Sequence, residues 1–188
     1  ILRADWHIDK MTLRQQQVST GKKLSGVLRL NAVEMHLRSI TTDGWCDMAE
    51  VWRKCEFLHF SPIGDGVLVD DKWLRQMAAS RDKERVDFEP PECDAPIKRI
   101  RCRQGHTMNF IDNSSICTRI TRDNMPEVGI HTTRYASIQS ILATGVRPGG
   151  LGGSRNEVLS QAFHNGDPRL QAGGRKTAPI GVQWDVAK

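Results

Sequence analysis

The chain has 188 residues, 38% of them hydrophobic and 26% charged. That is enough for one domain or two small lobes with an apolar core, and it excludes wholesale disorder. No apolar run approaches the roughly 20 residues that span a bilayer. The net charge of +5 permits an RNA, DNA or nucleotide partner without demanding one.

The opening, ILRADWHIDK, is charged and lacks the apolar segment of a secretory signal. A first residue other than Met reads as a processed chain or a piece of a longer one, with other domains of a parent protein as possible neighbours. Five cysteines, Cys46, Cys55, Cys93, Cys102 and Cys117, are odd in number, scattered, and form no CxxC. They read as reduced thiols of an intracellular protein, in cytoplasm or nucleus. No Cys or His pair has zinc-ligand spacing, so no metal is expected.

Residues 1–15 carry no clear period and read as an arm. From Gln16 to Arg38, Leu24, Val27, Leu28 and Val33 recur at near-helical spacing. Thr42 to Trp45, TDGW, is a turn, and CDMAEVWRKCEF follows as a helix with Met48, Val51 and Trp52 on one face. SPIGDG breaks the chain. VLVDDKWLRQMAASRDKER reads as another helix, RVDFE as a strand, PPECDAP as a proline-restricted loop, and IKRIRCR as an edge or half-exposed strand. Helices followed by two strands around a proline loop resemble a winged-helix arrangement, so residues 16–109 form one lobe.

The second half changes character. EVGIHTT is a short apolar run ending in hydroxyl residues. RYASIQSILATGVRPGG is an amphipathic helix with Ile138, Ile141 and Leu142 on one face and Gly145 as its C-cap. GGLGGSRNEVLSQAF is a glycine-rich loop entering a strand, HNGDPRLQAGG a loop, and APIGVQWDV a final strand. Residues 110–188 therefore make a small second lobe, and the fold class is α+β.

Three segments carry chemistry. Lys98, Arg99, Arg101 and Arg103 lie within six residues, and strand alternation lets the three arginines project together. A guanidinium offers a planar fork of donors that fits phosphate oxygens in pairs. The Gln104–Thr107 turn beyond it exposes backbone amides at Gly105. The segment is thus a phosphate-binding edge or, the reading these residues favour by themselves, a solvated strand whose arginines pair with the acidic DKERVDFEPPECD. His131 in GIHTT either hydrogen-bonds a nucleotide ribose or is tied to a backbone carbonyl. Gly149 to Ser154 lets a ligand approach the backbone or is a flexible loop; it is neither a GxxxxGK[ST] P-loop nor a strand–GxGxxG–helix. No GxSxG or Cys–His pairing points to a nucleophile, and the carboxylates read as turns and solvated faces.

Taken in order, these pieces resemble the RNA 2′-phosphotransferase, KptA-like family. KKLSGVLRLNAVEMHLRSITTDGWCDMAEVW is similar to the family's opening segment, DKERVDF to its K-x-RF strand, and IRCRQGHTM to its IRA-x-QGHS motif. GIHTTRYASIQSILATGVRPGG resembles its HGT strand and helix, GSRNEVLS its HVHLS stretch, and GGRKTAPIGVQWDVAK its basic loop and last strand. The resemblance implies a winged-helix-like lobe joined to an ADP-ribosyltransferase-like lobe, here ending before the family's further strands. It implies an NAD-dependent enzyme that removes an internal 2′-phosphate from spliced tRNA, through an ADP-ribosylated RNA phosphate, to give ADP-ribose cyclic phosphate. It places Arg29, Arg101 and Arg155 on the RNA phosphate, and Arg103, Gln104, Gly105, His106 and Thr107 at the substrate turn. His131, Thr132, Thr133 and Ser160 fall against NAD.

Three positions depart from the family pattern. Its Arg-His pair is Arg29-Leu30, its HGT is His131-Thr132-Thr133, and its HVHLS is Glu157-Val158-Leu159-Ser160. Three functions stay open on these residues: an active 2′-phosphotransferase, a catalytically impaired descendant used as an RNA-binding or assembly domain, and an ADP-ribosyltransferase acting on RNA or another acceptor.

Overall fold

A computed structural model describes residues 13–59, 69–79, 85–149, 157–170 and 177–185. They form an α+β structure of short helices and small antiparallel sheets. The chain divides into two compact units between Gln104 and Gly105.

In the first unit, helix α1 (Leu13–Gly26) runs into a π-helical turn at Val27–Asn31. The helix thus begins before Gln16 and ends well short of Arg38. A π turn carries an extra residue and shifts the phase of everything after it. Leu24, Val27 and Leu28 remain buried, but Val33 is 59% exposed, so the apolar stripe stops at the turn. Strand β1 (Cys46–Asp47) precedes helix α2 (Met48–Lys54). Asp47 caps α2, its carboxylate accepting from the Ala49 N–H at 2.7 Å, while Glu50 in the first turn and Arg53 and Lys54 in the last complement the helix dipole. Helix α3 (Asp71–Ala79) turns Trp73, Leu74 and Met77 into the core, and Asp70 accepts from the Trp73 N–H at 2.7 Å.

Strands β2 (Val86–Glu89) and β3 (Arg99–Cys102) complete an antiparallel sheet of order β1-β3-β2. Alternation along β3 buries Ile100 and Cys102 and leaves Arg99 and Arg101 on the other face. The unit's core gathers Leu24, Leu28, Val51, Leu58, Leu74, Met77 and Ile100, each fully buried and each contributing about 1.5–3 kcal/mol by leaving water.

In the second unit, strands β4 (Gly129–Thr133) and β5 (Ile180–Trp184) pair antiparallel. Between them lies helix α4 (Ile138–Thr144), preceded by a 3₁₀ turn and ended by Gly145 at φ 75°. The expected apolar face is only partly used: Ile138 and Ile141 are half-buried, but Leu142 is 82% exposed. A seven-residue helix offers its neighbours one narrow stripe. The stretch entering from the glycine loop forms no strand in its described part, only a single bridge between Ile130 and Gln161. No described helix is long and apolar enough to cross a membrane.

Candidate functional site

The arginine strand is the middle of the first sheet, with β2 along all four of its residues and β1 along Arg99 and Ile100. The register sets Glu89 opposite Arg99 and Asp87 opposite Arg101. Arg99 is ion-paired with Glu89. Arg101 donates from Nε to Asp87 Oδ2 at 3.1 Å, and Arg103 from Nε to Asp87 Oδ1 at 2.6 Å. The indole of Trp45 lies under both strand arginines, with its ring centre 4.7 Å from the Arg101 guanidinium carbon and 5.4 Å from that of Arg99. The carboxylates of DKERVDFEPPECD are thus partners of the basic strand. Sequence reading anticipated that pairing but not Trp45, which looked like part of a turn. Among the described residues, Lys98, Arg99, Arg101 and Arg103 outnumber the nearby carboxylates of Asp43, Asp87 and Glu89 by one positive charge. Among the described residues Asp87 is the one hydrogen-bond partner of Arg101, through Nε alone. The four Nη hydrogens remain for an anion.

Arg29 sits in the π-helical turn, which packs beside β3. Its charge is close enough to Cys102 to favour the thiolate, against the burial that pushes this thiol up. Leu30, next to it, is 44% exposed. Burial likewise raises Cys46, and pushes Cys55 up to about 11 with Cys46 adding to the rise. These three thiols stay protonated at neutral pH and are poor nucleophiles. All five cysteines are free.

The division between the units falls within the QGHT turn. Gly105 has φ 77°, a left-handed conformation that glycine enters without strain, as the turn reading required. Gln104 is exposed, Thr107 half-buried, and His106 is 1% exposed. Its imidazole lies inside the protein rather than on the surface of the turn.

In the second unit β4 carries the histidine. His131 Nδ1 lies 2.9 Å from the Leu159 carbonyl oxygen. The carbonyl can only accept, so Nδ1 carries the hydrogen and the neutral ring keeps its lone pair on Nε2. The backbone tie uses Nδ1 and leaves Nε2 outside it. Ile130 exchanges both backbone hydrogen bonds with Gln161, each 2.9 Å, and these bonds fasten residues 159–161 along β4. Exposed Ser160 therefore lies beside the His131 strand.

Alternation puts Thr132 on the face opposite His131. It is buried across from Gly181, so the side chain that replaces the family's glycine does not crowd the imidazole. Gly129 is required for a different reason: a Cβ there would lie 2.2 Å from the Trp184 indole nitrogen. Trp184 thus closes over Gly129 on the same face as His131. Arg155 and the loop from residue 150 lie outside the described residues. Among the described residues no group of His, Cys, Asp and Glu is arranged to hold a metal.

A groove of about 1480 Å³ in the first unit is lined by residues of α2, α3 and the proline loop and by none of the arginines of β3. Its polar wall is committed to structure. Arg75 donates to the carbonyls of Pro90, Pro91 and Ala95 at 2.9, 3.2 and 2.9 Å, and Asp71 accepts from the Ile97 N–H at 2.8 Å.

Compared with known proteins, the chain is matched over residues 15–188 by one family model, described as RNA 2'-phosphotransferase, Tpt1 / KptA family. No curated protein matches it.

Proposed function

The chain belongs to the RNA 2′-phosphotransferase, Tpt1 / KptA family, and on that basis we propose that it acts on RNA bearing an internal 2′-phosphate, with NAD⁺ as co-substrate. The observation that carries this reading is Arg101. It stands in IRCRQGH with one edge held by Asp87 and its Nη hydrogens left for an anion. Arg29 and Arg155 are the further cations for the phosphate, and Arg103 with the Gln104–Thr107 turn flanks it. The acceptor is spliced tRNA, in cytoplasm or nucleus.

The lobes follow the same reading. The order α1, β1, α2, α3, β2, β3 with sheet order β1-β3-β2 supports a winged-helix-like RNA lobe. The β4–α4–β5 unit supports an ADP-ribosyltransferase-like NAD lobe. His131 fits a ribose: Nε2 offers a lone pair to a sugar hydroxyl, with the Ser160 hydroxyl beside the same strand and Thr132 and Thr133 buried within it. NAD⁺ supplies the electrophilic ribose carbon and the leaving nicotinamide. The RNA phosphate is itself the nucleophile, so the protein's work is to position it and to offset its charge. That suits a site rich in guanidiniums and poor in general acids and bases.

Exposed Leu30 beside Arg29 favours a second reading, a descendant that binds RNA without turnover. Leucine neither donates to a phosphate nor carries charge, and one lost donor at such a site costs about 10²–10³ in rate.

The test is incubation with NAD⁺ and a short RNA carrying one internal 2′-phosphate, with Arg101→Ala in parallel. Loss of the phosphate with formation of ADP-ribose cyclic phosphate, abolished by Arg101→Ala, is the expected result. Phosphate-dependent binding with no product at high enzyme supports the RNA-binding descendant instead. Label from NAD⁺ that stays on the RNA identifies an ADP-ribosyltransferase that stops after its first step.

A further inference from the structure

Arg101 stands in a row of three across the first sheet. On one side Asp87 is its direct partner. On the other, β1 pairs Cys46 with Ile100 and Asp47 with Arg99, so continuing that register by one residue sets Trp45 opposite Arg101. Residues opposite one another across strands project from the same face. The contacts agree with this placement: the guanidinium carbon is 4.7 Å from the indole centre, and Nε is 3.1 Å from Asp87 Oδ2. The Arg101 and Asp87 side chains are only 21% and 22% exposed, so water screens the pair incompletely.

The two neighbours use different parts of the same group. Trp45 places its ring under the guanidinium carbon, and Asp87 takes Nε. The edge formed by Nη1 and Nη2 is left, and that edge can grip two phosphate oxygens in parallel. Asp87 also lies between two like charges: its second oxygen accepts from Arg103 at 2.6 Å, which offsets the repulsion between guanidiniums on one face.

Resting on the function proposed above, we infer that Trp45 and Asp87 are positioning residues, which hold Arg101 in one orientation so that its Nη edge meets the RNA 2′-phosphate. A long cationic side chain loses rotamer freedom when it grips a ligand. A ring under the guanidinium carbon and a carboxylate on Nε remove part of that freedom before the ligand arrives, so less is lost on binding. Neither residue touches the phosphate; both act through Arg101.

The experiment measures the affinity of the full chain for two RNA oligonucleotides, identical except that one carries a single internal 2′-phosphate in place of a 2′-hydroxyl. The quantity read is the ratio of the two Kd values. Arg101→Ala is expected to abolish the preference for the phosphate. Trp45→Leu and Asp87→Asn are each expected to lower it about fivefold, the scale of a partly shielded cation–aromatic contact, and Trp45→Phe to retain most of it. Adding Trp45→Leu or Asp87→Asn to Arg101→Ala is expected to change nothing further, because the intermediary is already gone. A purely structural role for the pair would weaken both RNAs alike and leave the ratio unmoved. If Trp45→Leu does not fold, the near-isosteric Asp87→Asn decides the question by the same ratio. An undiminished ratio in the folded variants, with the preference still lost in Arg101→Ala, overturns the positioning role while the proposed function stands. No preference in the wild type overturns both.

Discussion

Leu30 stands 44% exposed in the π-helical turn, one residue from Arg29. Because the side chain is not part of the core, replacing it tests chemistry rather than packing. Leu30→His restores an ionisable donor beside a guanidinium. The expected outcome is a gain of about tenfold or more in phosphate release from 2′-phosphorylated RNA, a fraction of what a positioned donor is worth in such sites. The gain is expected to be larger at pH 6 than at pH 8, since an imidazole near its ordinary pKa of about 6.5 is charged only at the lower value. Single-turnover assays at the two pH values check it. An unchanged rate at both means that the Arg29 turn does not reach the phosphate. Arg101 is the contrasting residue: its position is legible in IRCRQGH and its acidic partner in DKERVDFEPPECD, while Trp45 beside it is not.

Two clamps hold the elements that present this strand. The first joins the turn after the π-helical segment to α2. Glu50 accepts from the Arg38 and Ser39 backbone N–H groups at 3.0 and 2.8 Å and from the Ser39 hydroxyl at 2.6 Å. In the sequence Glu50 reads as one more solvated carboxylate; two of its three donors are backbone groups that no side-chain pattern announces. The Ser39 hydroxyl bond, helped by the backbone donors, holds the Glu50 carboxyl down from 4.5 to about 2. A carboxylate favoured in the folded state stabilises it fully above its unfolded pKa, and that contribution is lost as pH falls from about 4.5 towards 2. Urea midpoints of wild type and Glu50→Gln are therefore expected to differ at pH 7 and to converge as pH drops through that window. A constant difference would contradict it.

The second clamp is Arg75, whose three carbonyl acceptors tie α3 to the proline loop that leads into β3. Its guanidinium also lies 5.7 Å from the Phe88 ring centre. Arg75→Met keeps much of the stem and removes the donors. A loss of about 2 kcal/mol in unfolding free energy is expected, the scale of hydrogen bonds from a charged group. Faster exchange is expected at the Ile97 amide, which Asp71 holds. Amide exchange at Ile97 that matches wild type would show the loop to be held by other contacts.

At the scale of the whole molecule, 27 basic and 22 acidic residues leave a modest net charge, so RNA affinity depends on where the cations gather. With about three phosphate contacts on a single strand, the plot of log affinity against log salt is expected to slope at roughly −2, and Arg101→Ala to flatten it by about 0.7. An affinity titrated from 50 to 200 mM salt measures both, and a slope near zero would rule out a phosphate-led interface. The sequence by itself determined the α+β class, the motif order that marks the family, the left-handed turn at Gly105, and the strand on which the arginines stand. These rest on local periodicity, on backbone conformations open chiefly to glycine, and on motifs that survive as short runs. Only the tertiary structure decided which groups face each other. Strand register brought Trp45 and Asp87 to either side of Arg101 from positions 56 and 14 residues away in the chain. The π turn sent Val33 outward, and the Gln161 bridge carried Ser160 to the His131 strand. Register and helix phase depend on contacts between distant segments, and a local pattern of residue types holds no record of which segment lies opposite.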